Sequence, residues 1–167
     1  MTKCFILIIL FFLATQVGYA QKSEDYYSHL QSQHQQVLKK WLGKQTWLRP
    51  AIEKDASQED LKAWRRDNKN FQPYYAVGDF NQDSKEDFAI LLKVKGKDDS
   101  AIAVFNAPFN VSKPAYFEKG YGAVGLFYIE YNEELKLLYM TAYETHGFYL
   151  KPKGKTYIAY DADEDSQ

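Results

Sequence analysis

The feature that most constrains this fold is the alternation of short β-rich runs and turn-forming residues after Phe71. Runs rich in Val, Ile, Phe and Tyr cover residues 74–80, 87–94, 101–105, 115–117, 124–131, 135–143, 148–151 and 157–160. Polar and glycine-containing segments such as GKDD, EKGYG and PKGK separate them. Short strands at this spacing are typical of antiparallel hairpins. Because strands and helices do not alternate, a parallel sheet is not expected. The sequence predicts an antiparallel β-meander over residues 71–160.

One predicted strand, residues 124–131, is largely apolar in both of its alternating phases. One phase contains Leu126, Tyr128 and Glu130, and the other contains Phe127, Ile129 and Tyr131. A strand that is apolar on both sides is typical of the middle of a sheet that is covered on both faces. We therefore expect this strand to be central.

The residues before the sheet, 21–70, predict helices. Residues 23–43 have apolar side chains at spacings of three and four, with Ser23 as a capping residue and Gly43 as a stop. His34 falls on that apolar face, so we interpret it as a packed core histidine. A second helix from about Gln58 to Asn68 is expected to begin at a capping box, and residues 44–55 are expected to form a connector. The predicted fold class is α+β, with N-terminal helices packed on an antiparallel β-meander sheet.

The first 20 residues have the pattern of a signal peptide. Lys3 supplies a positive charge, an apolar run of ten residues follows at Phe5–Ala14, and the small residues Gly18 and Ala20 precede Gln21. Ten apolar residues are too few to cross a bilayer as a helix. We expect a periplasmic or secreted protein with no stable membrane insertion after signal cleavage. The alternative is an uncleaved N-terminal anchor. Residues 161–167 are expected to form an acidic, frayed tail.

Composition excludes several function classes. The formal net charge is −1 and no basic cluster is present, so we expect no nucleic-acid partner. The only cysteine is Cys4, inside the predicted signal peptide. The mature chain therefore has no disulfide, no thiolate metal site and no cysteine nucleophile. Aromatic residues make up 17% of the chain, which indicates a globular domain with a core rather than a disordered segment.

The most specific chemical signal is the polar loop from Asp79 to Asp87. Oxygen-bearing side chains recur at alternating positions, Asp79, Asn81, Asp83 and Asp87, and the backbone carbonyl of Lys85 falls in the same series. Alternating oxygen ligands are what calcium loops use. Ile90 stands where an EF-hand has its bidentate Glu, so the loop is not an EF-hand. The alternative is a metal-free hairpin in which Asp and Asn side chains accept hydrogen bonds from backbone N–H groups through Asx-turns.

Residues 78–89, GDFNQDSKEDFA, resemble the FG-GAP or VCBS-type repeat motif, whose core runs G-D-F-N-x-D-G-x-x-D-[LF]-A. In that family the loop joins two strands of a β-propeller blade and binds calcium. The resemblance implies a calcium ligand set of Asp79, Asn81, Asp83, Lys85 by its carbonyl, and Asp87. A propeller needs at least about four blades, and this chain has one copy of the motif, so the resemblance implies a single hairpin with a calcium-type turn.

One residue of this motif departs from the family. Ser84 stands where the family has Gly. A positive φ at that position would cost a non-glycine residue roughly 1 kcal/mol. We therefore expect any calcium affinity to be weak.

Catalytic signals are weaker. His146 and Glu144 lie together at a predicted hairpin turn, where they are candidates for acid–base work. The alternative is a turn histidine with no chemical role. Several carboxylates lie around the last predicted hairpins: Glu130, Glu133, Glu134 and Glu144. Glycosidases need paired carboxylates, and the alternative is that these are the charged hairpin ends of a soluble sheet. No nucleophile motif such as Gly-x-Ser-x-Gly, Ser-x-x-Lys or His-Glu-x-x-His accompanies them.

Taken together, the sequence favours a small exported binding protein over an enzyme. We expect a protein partner in the cell envelope, bound in the manner of an inhibitor or immunity protein, and a structural calcium site as the cofactor hypothesis. Two alternatives stay open: an envelope enzyme acting on glycan or peptidoglycan, and a calcium-dependent sugar- or surface-binding module.

Overall fold

The computed structural model describes residues 25–109, 113–142 and 147–162, apart from the side chains of Asp67 and Ala142. The helices and strands are α1 (Ser32–Leu42), β1 (Leu48–Pro50), α2 (Gln58–Asp67), β2 (Tyr75–Gly78), β3 (Asp87–Val94), β4 (Ser100–Phe105), β5 (Tyr116–Lys119), β6 (Phe127–Asn132), β7 (Leu137–Ala142), β8 (Gly147–Lys153) and β9 (Thr156–Asp161). Short 3₁₀ turns occupy Glu53–Asp55 and Val124–Leu126. The α+β class prediction is confirmed. The predicted signal peptide, the predicted cap Ser23 and the tail beyond Ala162 lie outside the described residues.

The strands form two antiparallel sheets, where the sequence predicted one meander. In the five-stranded first sheet, β3 lies between β4 and two short strands, with β2 paired to its first half and β1 to its second half. β5 completes this sheet beyond β4, and the second sheet has the order β6-β7-β8-β9. The chain leaves the first sheet through Gly120 and Gly122, whose φ values are +100° and +78°. Glycine adopts this left-handed backbone without steric cost, which allows the chain to turn from one sheet to the other.

The centre of the core is formed by β3 and β4, which are buried on both faces. On one face, Leu91 and Ile102 belong to an apolar cluster with residues of the second sheet such as Ile129 and Met140. On the other face lies a second cluster. It contains Val37, Leu38, Trp41, Phe88, Ile90, Leu92, Ala103 and Phe105. Both alternating sets of side chains on β3 and β4 are therefore removed from water.

The prediction that residues 124–131 form a central strand was wrong. β6 is the terminal strand of the second sheet, and within it Ile129 is buried while Glu130 is exposed. Its second apolar phase has a different explanation. The rings of Trp64 and Phe71 lie edge-on to Tyr128, with centroids 4.6 and 5.5 Å away. Aromatic contacts from the residues around α2, and not a second layer of sheet, account for the apolar character of that side.

The first helix is shorter than its pattern predicted. Its first residue is Ser32, and the described residues before it form turns and bends. Asp25 accepts hydrogen bonds from the backbone N–H groups of Tyr27 and Ser28, at 3.0 and 3.1 Å. Such Asx hydrogen bonds compete with helix formation, which explains the later start. None of the helices in the described part of the chain is long and apolar enough to cross a membrane.

His34 is a packed core histidine, as predicted. Its side chain is buried, its Nδ1 lies 2.6 Å from the Tyr75 hydroxyl, and its ring stacks on Phe88 with centroids 4.3 Å apart. This one side chain therefore links α1 to both β2 and β3.

The second helix agrees closely with its prediction, and the segment before it does not. α2 starts at Gln58, and the Ser57 hydroxyl accepts a hydrogen bond from the Asp60 N–H at 3.4 Å. The segment predicted as a connector contains β1 and a 3₁₀ turn. Arg49 of β1 donates two hydrogen bonds of 2.6 Å to the carboxylate of Asp55 in that turn. A strand of only three residues ending in proline has too little pattern to be recognised, and it is stabilised by pairing with β3.

Candidate functional site

The polar loop joins β2 to β3, and the predicted hairpin is present, with Gly78 opposite Asp87. Asp79 accepts hydrogen bonds from the backbone N–H groups of Asp83 and Ser84, both at 2.9 Å. Asn81 accepts one from Asp83 at 3.0 Å, and Asp83 accepts one from Lys85 at 3.0 Å. These are Asx-type hydrogen bonds, the pattern expected for a self-capped polar turn.

The loop holds two non-glycine residues, one of them Ser84, in a left-handed backbone conformation. Ser84 has a φ of +66° and Gln82 a φ of +61°. Both are in the left-handed region that non-glycine residues adopt at a cost. The positive φ that the sequence led us to consider is therefore present at Ser84.

Asp87 has a different environment from the rest of the loop. Its side chain is fully buried. One carboxylate oxygen accepts from the N–H groups of Phe80 and Asn81 at 3.1 and 3.3 Å, and the other accepts from Ala107 at 2.8 Å. Burial raises the pKa of Asp87 to about 6, although the three backbone hydrogen bonds act in the opposite direction. Asp87 thus joins the loop to the segment that follows β4, a contact across 20 residues of sequence.

The five residues of the calcium ligand set implied by the resemblance lie in two environments: four are in the turn, where both oxygens of Asp79 accept backbone N–H groups, and Asp87 is buried. Asp79, Asn81, Asp83 and the Lys85 carbonyl supply oxygen atoms of the type that calcium prefers. Both oxygens of the fifth residue, Asp87, are engaged by backbone amides inside the core. Over residues 25–109, 113–142 and 147–162, no group of three or more His, Cys, Asp or Glu side chains is arranged to hold a metal ion.

The two weak catalytic candidates fall outside the part of the chain that the structure describes. Glu144 and His146 lie outside the described residues. Glu130, Glu133 and Glu134 are exposed on β6 and in the following turn. Exposed carboxylates at a hairpin are what a soluble sheet requires, and they line neither of the two cavities described below.

A half-open pocket of about 200 Å³ lies where three separate segments meet, and we call it the His29 pocket. The lining residues are Asp25, Ser28, His29, Ala51, Ile52, Glu53, Lys54, Gln72, Pro73 and Tyr74. The Tyr74 hydroxyl and the Nε2 atom of His29 are buried without a hydrogen-bond partner in the described structure. Most buried polar atoms in proteins have a hydrogen-bond partner, so these two atoms are exceptions to the general pattern.

The electrostatics of the His29 pocket follow from burial and nearby carboxylates. Burial lowers the pKa of His29, while Glu53 and Asp25 act to raise it. Burial also raises the pKa of Tyr74 well above its usual value, and the charge of Asp55 adds to this effect. At neutral pH the imidazole and the phenol are therefore both uncharged. This pocket was not predicted from the sequence, because its residues come from segments that no local pattern relates.

A second, larger cleft of about 510 Å³ lies beside the polar loop. Asn81, Asn106, Lys113 and Lys155 are among its lining residues. The Asn106 side-chain oxygen accepts a hydrogen bond of 2.7 Å from Tyr157. Burial raises the pKa of that tyrosine, and the negative charges of the polar loop add to the rise. Lysines and the acidic loop thus offset one another here, and no single ligand chemistry predominates.

An exposed pair of aromatic rings lies on the first sheet, one from the terminal strand β5 and one from the residue before β1, at the other end of the strand order. Trp47 and Phe117 are 38% and 37% exposed, and their ring centroids are 6.2 Å apart. Trp41, which is buried, contacts Phe117 from below at 5.5 Å, and the Lys119 ammonium lies over the Trp47 ring at 5.6 Å. We call Trp47, Phe117 and Lys119 the aromatic edge. It adjoins β5, which pairs with β4 and with no other strand of the described structure.

Three tyrosines of the second sheet contact one another. Tyr139, Tyr149 and Tyr160 are neighbours across β7, β8 and β9, with ring centroids 5.7 and 5.6 Å apart. The Lys151 ammonium lies over two of these rings, and Tyr149 is only 3% exposed. Cross-strand aromatic contacts of this kind stabilise the sheet, and they account for part of the high tyrosine content.

Comparison of the chain with protein-family models, with curated proteins and with solved structures finds no match.

Proposed function

We propose that this chain is an exported binding protein whose partner is another protein, and that the partner docks on the aromatic edge. The observation behind this proposal is the exposure of the adjacent rings Trp47 and Phe117. Large aromatic side chains are usually removed from water, and tryptophan is strongly enriched at the centres of protein interfaces. Burying these rings against a partner would remove their apolar surface from water, which favours association.

The neighbouring strand suggests how the partner binds. β5 is a terminal strand of the first sheet in the described structure, so its outer backbone groups are open to a further strand. An extended segment of a partner can pair with such an edge through backbone hydrogen bonds, with side-chain contacts providing specificity. Phe117 belongs to β5 itself. A strand added there would therefore be directly beside Phe117, whose ring centroid lies 6.2 Å from that of Trp47.

Charge around the aromatic edge narrows the partner's chemistry. The Lys119 ammonium lies over Trp47, and Lys95 donates a hydrogen bond of 2.8 Å to the carbonyl of Thr46, the residue before Trp47. The rim is therefore cationic. A complementary partner segment has apolar residues at its centre and acidic residues at its rim, an arrangement that favours rapid and specific association.

The sequence supports the wider biological setting of this proposal. The signal-peptide pattern of residues 1–20 supports export to the periplasm or medium, which N-terminal sequencing of the mature protein tests by finding Gln21 as the first residue. Inhibition of an envelope or secreted enzyme, or neutralisation of a toxin, is the function that suits a small binding protein without a nucleophile motif. Trp41 of α1 packs beneath the aromatic edge, with its ring centroid 5.5 Å from that of Phe117.

Site-specific photo-cross-linking tests the partner proposal. A photoreactive benzoylphenylalanine is introduced at Phe117 in the full chain and, as a matched control, at Leu135, which is 56% exposed on a distant hairpin. We expect one stoichiometric cross-linked protein from the first position and none from the second. Trp47→Ala should abolish the capture, and Leu135→Ala should not. Equal capture from both positions, or capture that survives Trp47→Ala, would refute the proposal.

Calcium in the polar loop is a separate structural proposal. Asp79, Asn81, Asp83 and the Lys85 carbonyl would hold the ion, and its effect would be to stabilise the hairpin between β2 and β3. Calorimetry with CaCl₂ on the mature domain provides the test, with Asp79→Asn plus Asp83→Asn as the control variant. No heat and no change in melting temperature at several millimolar CaCl₂ would exclude the site. The enzyme and sugar-binding alternatives stay predictions of the sequence, since no contact described above favours them.

A further inference from the structure

We propose that the partner contributes an extended strand, which pairs in antiparallel fashion with β5 through the backbone groups of Phe117 and Lys119. This inference rests on the proposed function and specifies how the partner binds at the aromatic edge. β5 is exposed over its last three residues, and in the described structure it pairs only with β4. Antiparallel pairing is slightly more stable per residue than parallel pairing, and the described strands of the first sheet all pair in this way.

The register of β4 and β5 shows which backbone groups are open. In an antiparallel pair, every second residue forms hydrogen bonds with the residue opposite it, and the residues between direct their N–H and C=O groups to the other side. The Gly120 N–H donates to the Ser100 carbonyl at 3.1 Å, so these two form a hydrogen-bonded pair. Glu118, two residues earlier, is in the same phase and bonds to β4. Phe117 and Lys119 therefore point their backbone groups away from β4.

The pairing of β4 with β3 leads to the same assignment. The Val94 N–H donates to the Asp99 carbonyl at 2.9 Å, so the odd-numbered residues of β4 bond to β3. The even-numbered residues of β4 are left to bond to β5, and they lie opposite the even-numbered residues of β5. The N–H and C=O groups of Phe117 and Lys119 are thus on the outer side of β5. Open groups of this kind are a template for a further strand.

The side chains of β5 determine the chemistry of the added strand. Successive residues alternate between faces, so Phe117 and Lys119 share the face of the aromatic edge and Glu118 lies on the other face. The hydroxyls of Tyr116 and Tyr121 donate to the Glu118 carboxylate. Burial and this hydrogen bond raise the pKa of Tyr116 to about 12, so the phenol is neutral and leaves the charge of Glu118 in place.

Cross-strand complementarity then gives the partner a sequence pattern. Opposite charges and apolar pairs directly across from each other stabilise a sheet. The favoured neighbours are an acidic residue beside Lys119, a basic residue beside Glu118 and an apolar residue beside Phe117. From its N-terminus, an antiparallel partner strand therefore has the pattern acidic, basic, apolar.

The same charges disfavour a second copy of this chain as the occupant. One antiparallel register lets two β5 strands use the open groups of both Phe117 and Lys119, and it pairs Phe117 of each copy with Lys119 of the other. Glu118 then lies directly opposite Glu118 of the second copy. That position is a non-hydrogen-bonded pair, in which the Cα atoms are only about 4.5 Å apart. Like charges placed directly opposite are destabilising, so the edge favours a different protein.

Two peptides of the same composition test the charge pattern. Acetyl-Thr-Thr-Glu-Lys-Val-Thr-Thr-amide, and the peptide in which Glu and Lys are exchanged, are titrated into the full mature protein while the amide NMR resonances of β5 are followed. We expect the first peptide to bind about tenfold more tightly, because the exchange places like charges at two positions. Equal binding, or no shift of the β5 resonances at about 5 mM of the first peptide, would overturn the proposal.

A charge exchange in the protein is the matched variant. Glu118→Lys combined with Lys119→Glu should reverse the peptide preference. If this double variant does not fold, Glu118→Gln combined with Lys119→Gln should abolish the preference. A preference for the first peptide that persists in these variants would contradict the proposed pairing.

The backbone contribution is tested separately. The amide protons of Phe117 and Lys119 should gain protection from hydrogen exchange when the first peptide binds, and that of Glu118 should change little because it already bonds to β4. Lys119→Pro removes one open N–H group, and proline is tolerated on the outer side of an edge strand. It should bind the peptide about fivefold more weakly than Lys119→Ala, which loses only the charge. Equal binding by these two variants would show that this N–H group is not used.

Photo-cross-linking from the Phe117 position separates this inference from the proposed function. Lys119→Pro should reduce capture of the partner. Capture that is unchanged by Lys119→Pro would overturn strand addition and leave docking at the aromatic edge intact, whereas no capture at all would overturn the proposed function. Protection of the Phe117 and Lys119 amides that rises with protein concentration alone would identify a second copy as the occupant and would contradict the proposal.

Discussion

Asp87 and the His29 pocket both bury polar atoms, but they differ in how those atoms are satisfied. The Asp87 carboxylate is fully buried and accepts three backbone hydrogen bonds from two separate segments. The Tyr74 hydroxyl and His29 Nε2 are buried and accept or donate none within the described residues. A satisfied polar group makes the fold specific, whereas an unsatisfied one lowers stability unless a ligand or water completes it. The first arrangement stabilises the fold, and the second does not.

The same contrast exists between two neighbouring residues. Tyr74 and Tyr75 point to opposite faces of the first sheet and belong to different core clusters. The Tyr75 hydroxyl lies 2.6 Å from His34 Nδ1, and burial raises its pKa to about 12. The Tyr74 hydroxyl has no such partner. A pair of identical residues, one satisfied and one not, allows the comparison to be tested directly.

The largest expected effect is at Asp87. Asp87→Ala leaves three backbone N–H groups without their acceptor, so we expect the free energy of unfolding to fall by about 3 kcal/mol or more. Urea denaturation followed by circular dichroism measures this. Asp83→Ala is the control, because its carboxylate is 35% exposed and its loss should cost less than about 1 kcal/mol. If the two variants lose similar amounts of unfolding free energy, the buried hydrogen bonds of Asp87 do not stabilise the fold more than the exposed Asp83 does. If Asp87→Ala does not fold, Asp87→Asn should show a smaller loss in the same direction.

An intermediate effect is expected for the two tyrosines. Tyr75→Phe breaks the hydrogen bond to His34 and should lower the free energy of unfolding by about 1–2 kcal/mol. Tyr74→Phe removes a buried hydroxyl that has no partner, so it should be neutral or slightly stabilising. Parallel urea titrations of both variants compare them. A larger loss for Tyr74→Phe would show that its hydroxyl is already satisfied in solution.

The smallest expected effect is at Ser84. Ser84→Gly relieves a positive φ that costs roughly 1 kcal/mol, and the added freedom of glycine in the unfolded chain removes about half of that gain. We expect a net stabilisation of about 0.5 kcal/mol, visible as a small rise in melting temperature. Ser57→Gly makes the same chemical change at a helix cap with a φ of −60° and should lower stability by a few tenths of a kcal/mol, about 0.3. Destabilisation by Ser84→Gly would show that the loop does not hold Ser84 in the left-handed region.

Local patterns in the sequence were sufficient for much of the fold. Ser57 and the residues after it predicted α2, and the run from Asp87 to Val94 predicted β3. The position of His34 on an apolar helical face predicted its burial. Each of these depends on residues within a few positions of one another, where capping and hydrophobic periodicity act. The polar hairpin before β3 was predicted for the same reason.

Contacts between distant segments could not be predicted in this way. Pairing with β3 makes a strand of Leu48–Pro50, and contacts with Trp64 and Phe71 allow β6 to be apolar on both sides at the end of a sheet. The candidate site shows the same limit. The loop was predicted from spacing, but the bond from Ala107 to Asp87 was not.

By itself, the sequence determined the longer strands and the approximate positions of the two helices, because apolar periodicity and capping within a segment depend on its own residues. Only the tertiary structure decided that there are two sheets, that Asp87 is enclosed by backbone amides, and that His29 and Tyr74 meet at one pocket. These features join residues far apart in the chain. Their energy comes from burial and hydrogen bonding that exist only after the segments pack together.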